Sequence, residues 1–396
     1  RVYPVNPSGG SLHDLKVYAS LDEIKGAIET ALICLPAASV FDTVDACIRR
    51  GIRHAVVIAS GFSEIGNSAE EKRIATHARQ HGLRLLGPNV FGFYSAASSL
   101  NATFTRLPNP GGGVAVLTQS GPLGLAMIGR TAIEHIGLSA VVSTGNKADI
   151  DEADLLRYLI QDESTKVILI YLEAIREGSK LVRCLSEATR LKPVVMLKAG
   201  KSERGAMAAI SHTGLLAGSD EVFDDLVRQC GAIRAETIDD AFAWCSFMAS
   251  SGVPRDENAV IITNGGGMGV LATDYCEKYG VKLYPDNNEL RKTFAAINMN
   301  GGSIKNPVDI SNRAGVTEYE EALNAALTSE NIHAVIALYN ESELLPADDL
   351  VSMIQKVHMK YRSIGKPIVF SLFGGHGTAK CVDFLKSKRV PAFVEI

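Results

Sequence analysis

Short apolar runs recur along the chain, each closed by a turn rich in glycine or polar residues and then by a helical pattern of apolar positions. Ala31 to Leu35, Ala55 to Ala59 and Arg84 to Leu86 are the first three runs. Val114 to Thr118, a run near Leu138, Lys166 to Leu172 and a run after Pro193 follow, and runs near Val260, Ala334 and Ile368 complete the series. Runs of this length without alternation read as strands buried on both faces, and strands that alternate with helices predict parallel sheets covered by helices. The fold class expected is therefore α/β.

Breaks in this rhythm divide the chain into three. Residues 1–108 form a Rossmann-like domain, closed by a linker from Asn109 to Gly113; residues 109–250 and 251–396 form two flavodoxin-like domains separated by the polar stretch Ser250 to Asp256. The 396 residues, 46% of them hydrophobic, suffice for a core in each. The net charge of −4, the dispersed Lys and Arg and the single Trp give no nucleic-acid surface. No run approaches a membrane span, and seven scattered cysteines without a Cys-x-x-Cys pair suit a reducing, cytoplasmic setting, most of them as core fillers.

Two turns are suited to anions. Gln119-Ser120-Gly121-Pro122-Leu123-Gly124 joins a buried strand to a helix running to about Glu134, and Asn264-Gly265-Gly266-Gly267-Met268-Gly269 joins another to a helix running to about Tyr279. Unpaired amides and the positive dipole end at a helix start attract phosphate, and glycine lets the backbone come close. Neither turn matches a Walker loop or the dinucleotide fingerprint.

A histidine adds chemistry. Ser211-His212-Thr213-Gly214-Leu215-Leu216-Ala217-Gly218-Ser219 sets His212 among small residues before an amphipathic helix, and Gly205, Gly214 and Gly218 would let such a loop move. Imidazole can accept and pass on a phosphoryl group. Glu173 stands at the carboxyl end of the Lys166 to Leu172 strand, the edge where open α/β sheets bind ligands, and could orient that ring by accepting its other N–H; a solvated loop carboxylate is the plain alternative.

Together these segments resemble the nucleoside-diphosphate-forming acyl-CoA synthetases, the superfamily of succinyl-CoA synthetase and the ADP-forming acetyl-CoA synthetases. The Ser-His-Thr-Gly loop is similar to the phosphohistidine loop, Tyr171-Leu172-Glu173 to its steadying glutamate, and the two glycine turns to the family's two phosphate-facing helices. Ser143 to Asp149 and Asn306 to Asp309 also match family segments. The resemblance implies catalytic roles for His212 and Glu173, and phosphate binding at Gln119, Ser120, Gly121, Gly265, Gly266 and Gly267. It implies CoA contacts at Asn6, Pro7, Pro36, Gly61, Phe62, Pro88 and Asn89, and an acid pocket lined by Pro122, Leu123, Gly145 and Asn146, with Gln119 and Ala174 beside them.

The implied reaction forms acyl-CoA reversibly from a small carboxylic acid, CoA and ATP, through phosphohistidine and acyl phosphate, with ADP, phosphate and Mg²⁺ as companions. The resemblance also implies a partner ATP-grasp domain or subunit, an oligomer, and an opening strand and glycine loop ahead of Arg1, since the family's nucleotide unit and first strand have no counterpart in these residues. A CoA-binding module without catalysis is the alternative. An NAD-dependent dehydrogenase fits less well, because no Gly-x-Gly-x-x-Gly turn is visible.

Overall fold

The computed structural model describes residues 1–106, 110–213, 218–297, 301–342 and 345–396, with backbone alone at 110 and 211–213. The chain groups into two compact units, one of Arg1–Arg130 with Gly137–Ala241 and one of Thr131–Ile136 with Phe242–Ile396.

The first unit carries two main sheets. Thr30–Ile33, His54–Val57 and Arg84–Leu86 pair in parallel around a core that includes Val40, Val44, Cys47 and Ile74 from the two flanking helices. The larger sheet has seven strands in the order Ile233–Ala235, Val194–Lys198, Val167–Leu172, Pro110–Thr118, Leu138–Ser143, Gly92–Ser95, Leu100–Thr103. Its third strand, Val167–Leu172, is flanked on both sides and buried at every position, which is why its sequence is apolar throughout. Beside it the helix Gly178–Ala188 buries Leu181, Cys184, Leu185 and Ala188, the three- and four-residue spacing of one helical face.

Three local features differ from the sequence-based expectation. The supposed linker from Asn109 to Gly113 belongs largely to the Pro110–Thr118 strand, which takes up the glycines through register shifts at Val114, as a bulge does. Gly92–Ser95 and Leu100–Thr103 add an antiparallel edge that no long apolar run announced. The segment expected as a loop around His212 is helical from Glu203 to Thr213, Gly205 included.

One buried carboxylate ties the two sheets of this unit. Asp149 accepts from Arg79 Nη2 at 2.7 Å, Arg84 Nε at 2.9 Å and the Leu85 amide at 2.9 Å. Burial pushes its pKa up, but the hydrogen bonds from Arg84, Leu85 and Arg79 outweigh that and hold it below the ordinary aspartate value.

The second unit is a five-stranded parallel sheet ordered Val308–Asp309, Ala259–Thr263, Ala334–Asn340, Ile368–Phe373, Ala392–Phe393. Its core gathers Tyr319, Tyr339, Tyr361, Phe294 and Phe370, and each of the three tyrosines donates its hydroxyl to a backbone carbonyl. Six of the seven cysteines are buried, Cys34 is exposed, and all are free. Among the described residues no helix is long and apolar enough to cross a membrane.

Candidate active site

In the first unit the site is built on the turn after Thr118. The Thr118 hydroxyl donates to the Ser120 carbonyl at 2.9 Å, and Ser120 Oγ accepts the Leu123 amide at 3.3 Å. Pro122 has no N–H, so the Ser120 and Gly121 amides are the ones left without a partner among the described residues at the start of the Gly121–Ile133 helix. The Gln119 amide is not available in the same way, because it donates to the Tyr171 carbonyl at 3.2 Å.

The side chain of Gln119 fastens the neighbouring strand end. Its Oε1 accepts from the Glu173 amide at 2.9 Å, the Ala174 amide at 3.1 Å and Lys147 Nζ at 3.2 Å. Glu173 is thereby held at the carboxyl end of its strand, and it is buried rather than solvated. The Tyr171 hydroxyl donates to Glu173 Oε1 at 3.3 Å. Burial, and then the Glu173 charge, raise the Tyr171 pKa, which keeps that hydroxyl a donor.

The second unit repeats this construction on its own sheet. The Thr263 hydroxyl donates to the Gly265 carbonyl at 3.0 Å and accepts the Gly265 amide at 3.0 Å. Asn264 takes the part of Gln119, with Oδ1 accepting the Asn340 amide at 2.7 Å and Nδ2 donating to the Asn340 carbonyl at 2.8 Å. Since the Gly265 amide is occupied, Gly266 and Gly267 present the open amides of the Gly266–Lys278 helix. The common pattern is Thr, an amide residue, a small residue, Gly, two residues and Gly. Sequence reading paired the two glycine turns and named Gln119 and Asn264 within them, but not that each side-chain amide fastens a neighbouring strand end.

A second group of residues faces the turn from the small sheet. The Gly61 and Phe62 amides donate to the Glu64 carboxylate, and Asn146 Nδ2 donates to Glu64 Oε2 at 2.6 Å and Glu71 Oε2 at 2.9 Å. Burial raises the Glu64 pKa, but the Gly61 amide and the Asn146 side chain overcome it and leave the carboxyl below its ordinary value. Asn89 Nδ2 donates to Asn146 Oδ1 at 3.3 Å. The Gly61, Phe62, Asn89, Gly145 and Asn146 positions thus come together, while Pro88 is buried behind them and the Phe62 ring belongs to the core. Asn6, Pro7 and Pro36 are exposed, as is Pro122, and Leu123 is half-buried. Lys147, Glu64, Glu71 and Arg176 were not singled out from sequence; the Ser143 to Asp149 segment held a signal in Lys147, its single cation.

The backbone of His212 lies near the end of the Glu203–Thr213 helix, which runs beside the Ser63–Ile65 turn. Its side chain and residues 214–217 lie outside the described residues. Among the described residues no group of three His, Cys, Asp or Glu could hold a metal ion.

Comparison with known proteins places this architecture. A CoA binding domain matches residues 1–95, a succinyl-CoA ligase like flavodoxin domain residues 111–248, and a ligase-CoA domain residues 259–395. The alpha subunit of acetate--CoA ligase [ADP-forming] I from Pyrococcus furiosus is 41% identical over all of this chain and 86% of its own length. The 4-hydroxybutyrate--CoA ligase [ADP-forming] of Nitrosopumilus maritimus is 32% identical over 99% of this chain, which spans only 56% of that relative. The solved structure of Ca. Korarchaeum cryptofilum dinucleotide forming acetyl-coenzyme A synthetase 1 in complex with phosphate and ADP superposes with a TM-score of 0.94 at 36% identity, over 99% of this chain and 85% of that one. At this identity over the whole chain, and with both helix-opening turns and the buried Glu173 in place, this chain belongs to the nucleoside-diphosphate-forming acyl-CoA synthetases, a family of acid–thiol ligases.

Proposed function

We propose that the chain is the CoA-binding and acyl-transferring part of an ADP-forming acyl-CoA synthetase, working with an ATP-grasp domain or subunit that binds ATP and Mg²⁺. The observation that carries this reading is the Gln119 side chain, which holds the buried Glu173 at a strand end directly beside a helix start with open amides. The division into 1–108, 109–250 and 251–396 assigns CoA to the first part and phosphoryl and acyl transfer to the other two.

In the synthetic direction His212 takes the phosphoryl group from ATP while Glu173 accepts the Nδ1–H of the ring and stabilises its charged form. The acid's carboxylate then attacks phosphorus, the N–P bond breaks, and imidazole is restored as acyl phosphate forms. The amides of Ser120 and Gly121 offset the charge on the transferring group, those of Gly266 and Gly267 make a phosphate site of the second unit, and CoA thiolate completes the thioester. CoA passes along the turns at Asn6, Pro7, Pro36, Gly61, Phe62, Pro88 and Asn89, with the acid against Pro122, Leu123, Gly145 and Asn146.

The test is to incubate the chain and its ATP-grasp partner with γ-labelled ATP and Mg²⁺. Acid-labile, base-stable label that is lost in His212→Ala and discharged by a carboxylate plus CoA is expected. Wild type that binds CoA and takes no label would instead identify a CoA-binding module without catalysis.

A further inference from the structure

Three donors converge on one oxygen of Gln119: the Glu173 amide, the Ala174 amide and Lys147 Nζ. An amide oxygen has two lone pairs and its nitrogen none to offer, so the side chain cannot be turned end for end without setting N–H groups against three donors. Nε2 is therefore fixed on the opposite side of the amide, and it is buried with no hydrogen-bond partner among the described residues, in a residue only 5% exposed. Asn264, its counterpart in the second unit, has both ends of its amide occupied by Asn340. A buried donor that the fold orients and leaves unpaired, next to the start of a helix with open amides, is suited to an oxygen that arrives with a ligand.

Lys147 adds a side-chain donor to the two backbone amides that fix the orientation. Its side chain is wholly buried and its ammonium group donates to the Ala174 carbonyl at 2.5 Å and pairs with Glu152 at 3.2 Å. The ion pair neutralises a charge that could not otherwise stay in this interior, and it directs one N–H at Gln119 Oε1.

Building on the acyl transfer proposed above, we propose that Gln119 Nε2 donates to the carbonyl oxygen of the acyl group as it passes from phosphate to sulfur, and that Lys147 is the positioning residue that keeps the amide turned for this. As the CoA sulfur bonds to the carbonyl carbon, the carbonyl π pair moves onto oxygen; when the pair returns, the C–O bond to phosphate breaks and the thiol proton ends on the phosphate. Charge on that oxygen exists only between these events, so a fixed donor there stabilises the transition states more than the acyl phosphate.

Gln119→Glu keeps an oxygen for the three donors and replaces the open nitrogen with an acceptor. In the chain with its ATP-grasp partner, the discharge of acetyl phosphate by CoA to acetyl-CoA is expected to slow by about 100-fold or more, the range typical for one such donor. Lys147→Met combined with Glu152→Gln leaves no unpaired buried charge; it is expected to slow discharge in an otherwise wild-type chain, with the KM for CoA unchanged, and to add nothing in a Gln119→Ala background. Discharge by Gln119→Glu within twofold of wild type, or full additivity of the double replacement with Gln119→Ala, would overturn the assignment. Should wild type take no label from ATP, the broader reading fails, and the same discharge of acetyl phosphate by CoA decides this one separately: slowing in Gln119→Glu supports the donor, and a rate equal to wild type refutes it.

Discussion

Gly124 faces Thr118 across the first turn so closely that a Cβ on the glycine would stand 2.6 Å from Thr118 Cγ2, and Gly269 stands in the same relation to Thr263 at 3.2 Å. In each turn the threonine hydroxyl is needed to hold the turn carbonyl and its methyl group packs under the first helical turn. The glycine six residues on lets the helix approach its strand.

The two sites should respond differently to alanine. At Gly124 the added carbon would also meet Phe91 Cε1 at 2.8 Å, a clash on two sides, whereas at Gly269 the contacts with Pro307 and Thr263 are 3.0 Å or longer. Overpacking typically costs about 1–3 kcal/mol, and the helix propensity gained on replacing glycine returns roughly 1 kcal/mol. Gly124→Ala is therefore expected to lower the denaturation midpoint clearly and Gly269→Ala only slightly. Thr118→Ser, which removes Cγ2 and keeps the hydroxyl, should recover part of the Gly124→Ala loss. Equal losses at the two glycines, measured in urea, would refute the argument.

Gly145 is constrained in conformation as well as in space. Its φ of +53° is left-handed, and a Cβ there would lie 2.2 Å from the Pro88 carbonyl oxygen and 2.5 Å from that of Asn89. Those contacts are backbone and cannot turn away as a flexible side chain would. Gly145→Ala is expected to destabilise the first unit by on the order of 3 kcal/mol and to weaken CoA binding, because the strand-end loops that it separates are those proposed to pass the cofactor. Calorimetric unfolding and CoA titration of the same preparation would check both effects.

How much of this was legible in the sequence depended on the range of the interaction. The Val167–Leu172 strand and the Gly178–Ala188 helix were readable because burial on both faces, or on one, writes a pattern into neighbouring residues. Both helix-opening turns were readable because glycine marks them. The antiparallel edge at Gly92–Ser95 was not, since its burial comes from pairing with Leu138–Ser143, far along the chain. The helix over Glu203–Thr213 was misjudged because glycine and serine weigh against helix locally, while Ala206 to Ile210 favour it. The roles of Lys147 and Gln119 depend on contacts 28 and 54 residues apart, which no local pattern encodes.

Asp149 should make the first unit acid-sensitive. Its pKa is lower in the folded chain than in the unfolded one, so the stability it contributes is fully present above the unfolded value and is lost as pH falls through the folded value. Asp149→Asn keeps the shape but breaks the charge pairing with Arg79 and Arg84, whose guanidinium groups are partly in water. A loss of about 2 kcal/mol is expected, below the roughly 3–5 kcal/mol typical of a fully buried pair because solvent screens the arginines. The variant should also show a smaller fall in stability from pH 5 to pH 2 than wild type; an identical slope would mean that Asp149 is not the group responsible.

His358 predicts a separate pH dependence in the second unit. It lies on the Ala347–Ile364 helix, 4% exposed, and burial, with a smaller push from the Arg362 charge, lowers its pKa from 6.5 to about 4. Between those values the unfolded chain binds a proton that the folded chain excludes, so stability falls as pH drops from about 6.5 towards 4 and is unaffected above that window. The shift of roughly 2.5 pKa units corresponds to about 3 kcal/mol at the acid end. The buried Nε2 has no partner among the described residues, so the ring's polarity is matched only by a hydrogen bond with the Ser250 backbone, too little to offset its burial. His358→Leu should then match or exceed wild-type stability at pH 5 while remaining close to it at pH 8, and the difference between the two denaturation midpoints should grow steadily as pH falls. Midpoints that stay parallel from pH 8 to pH 4.5 would show that His358 takes up its proton in the folded protein as readily as in the unfolded chain, through a local opening of the helix that the buried geometry does not include.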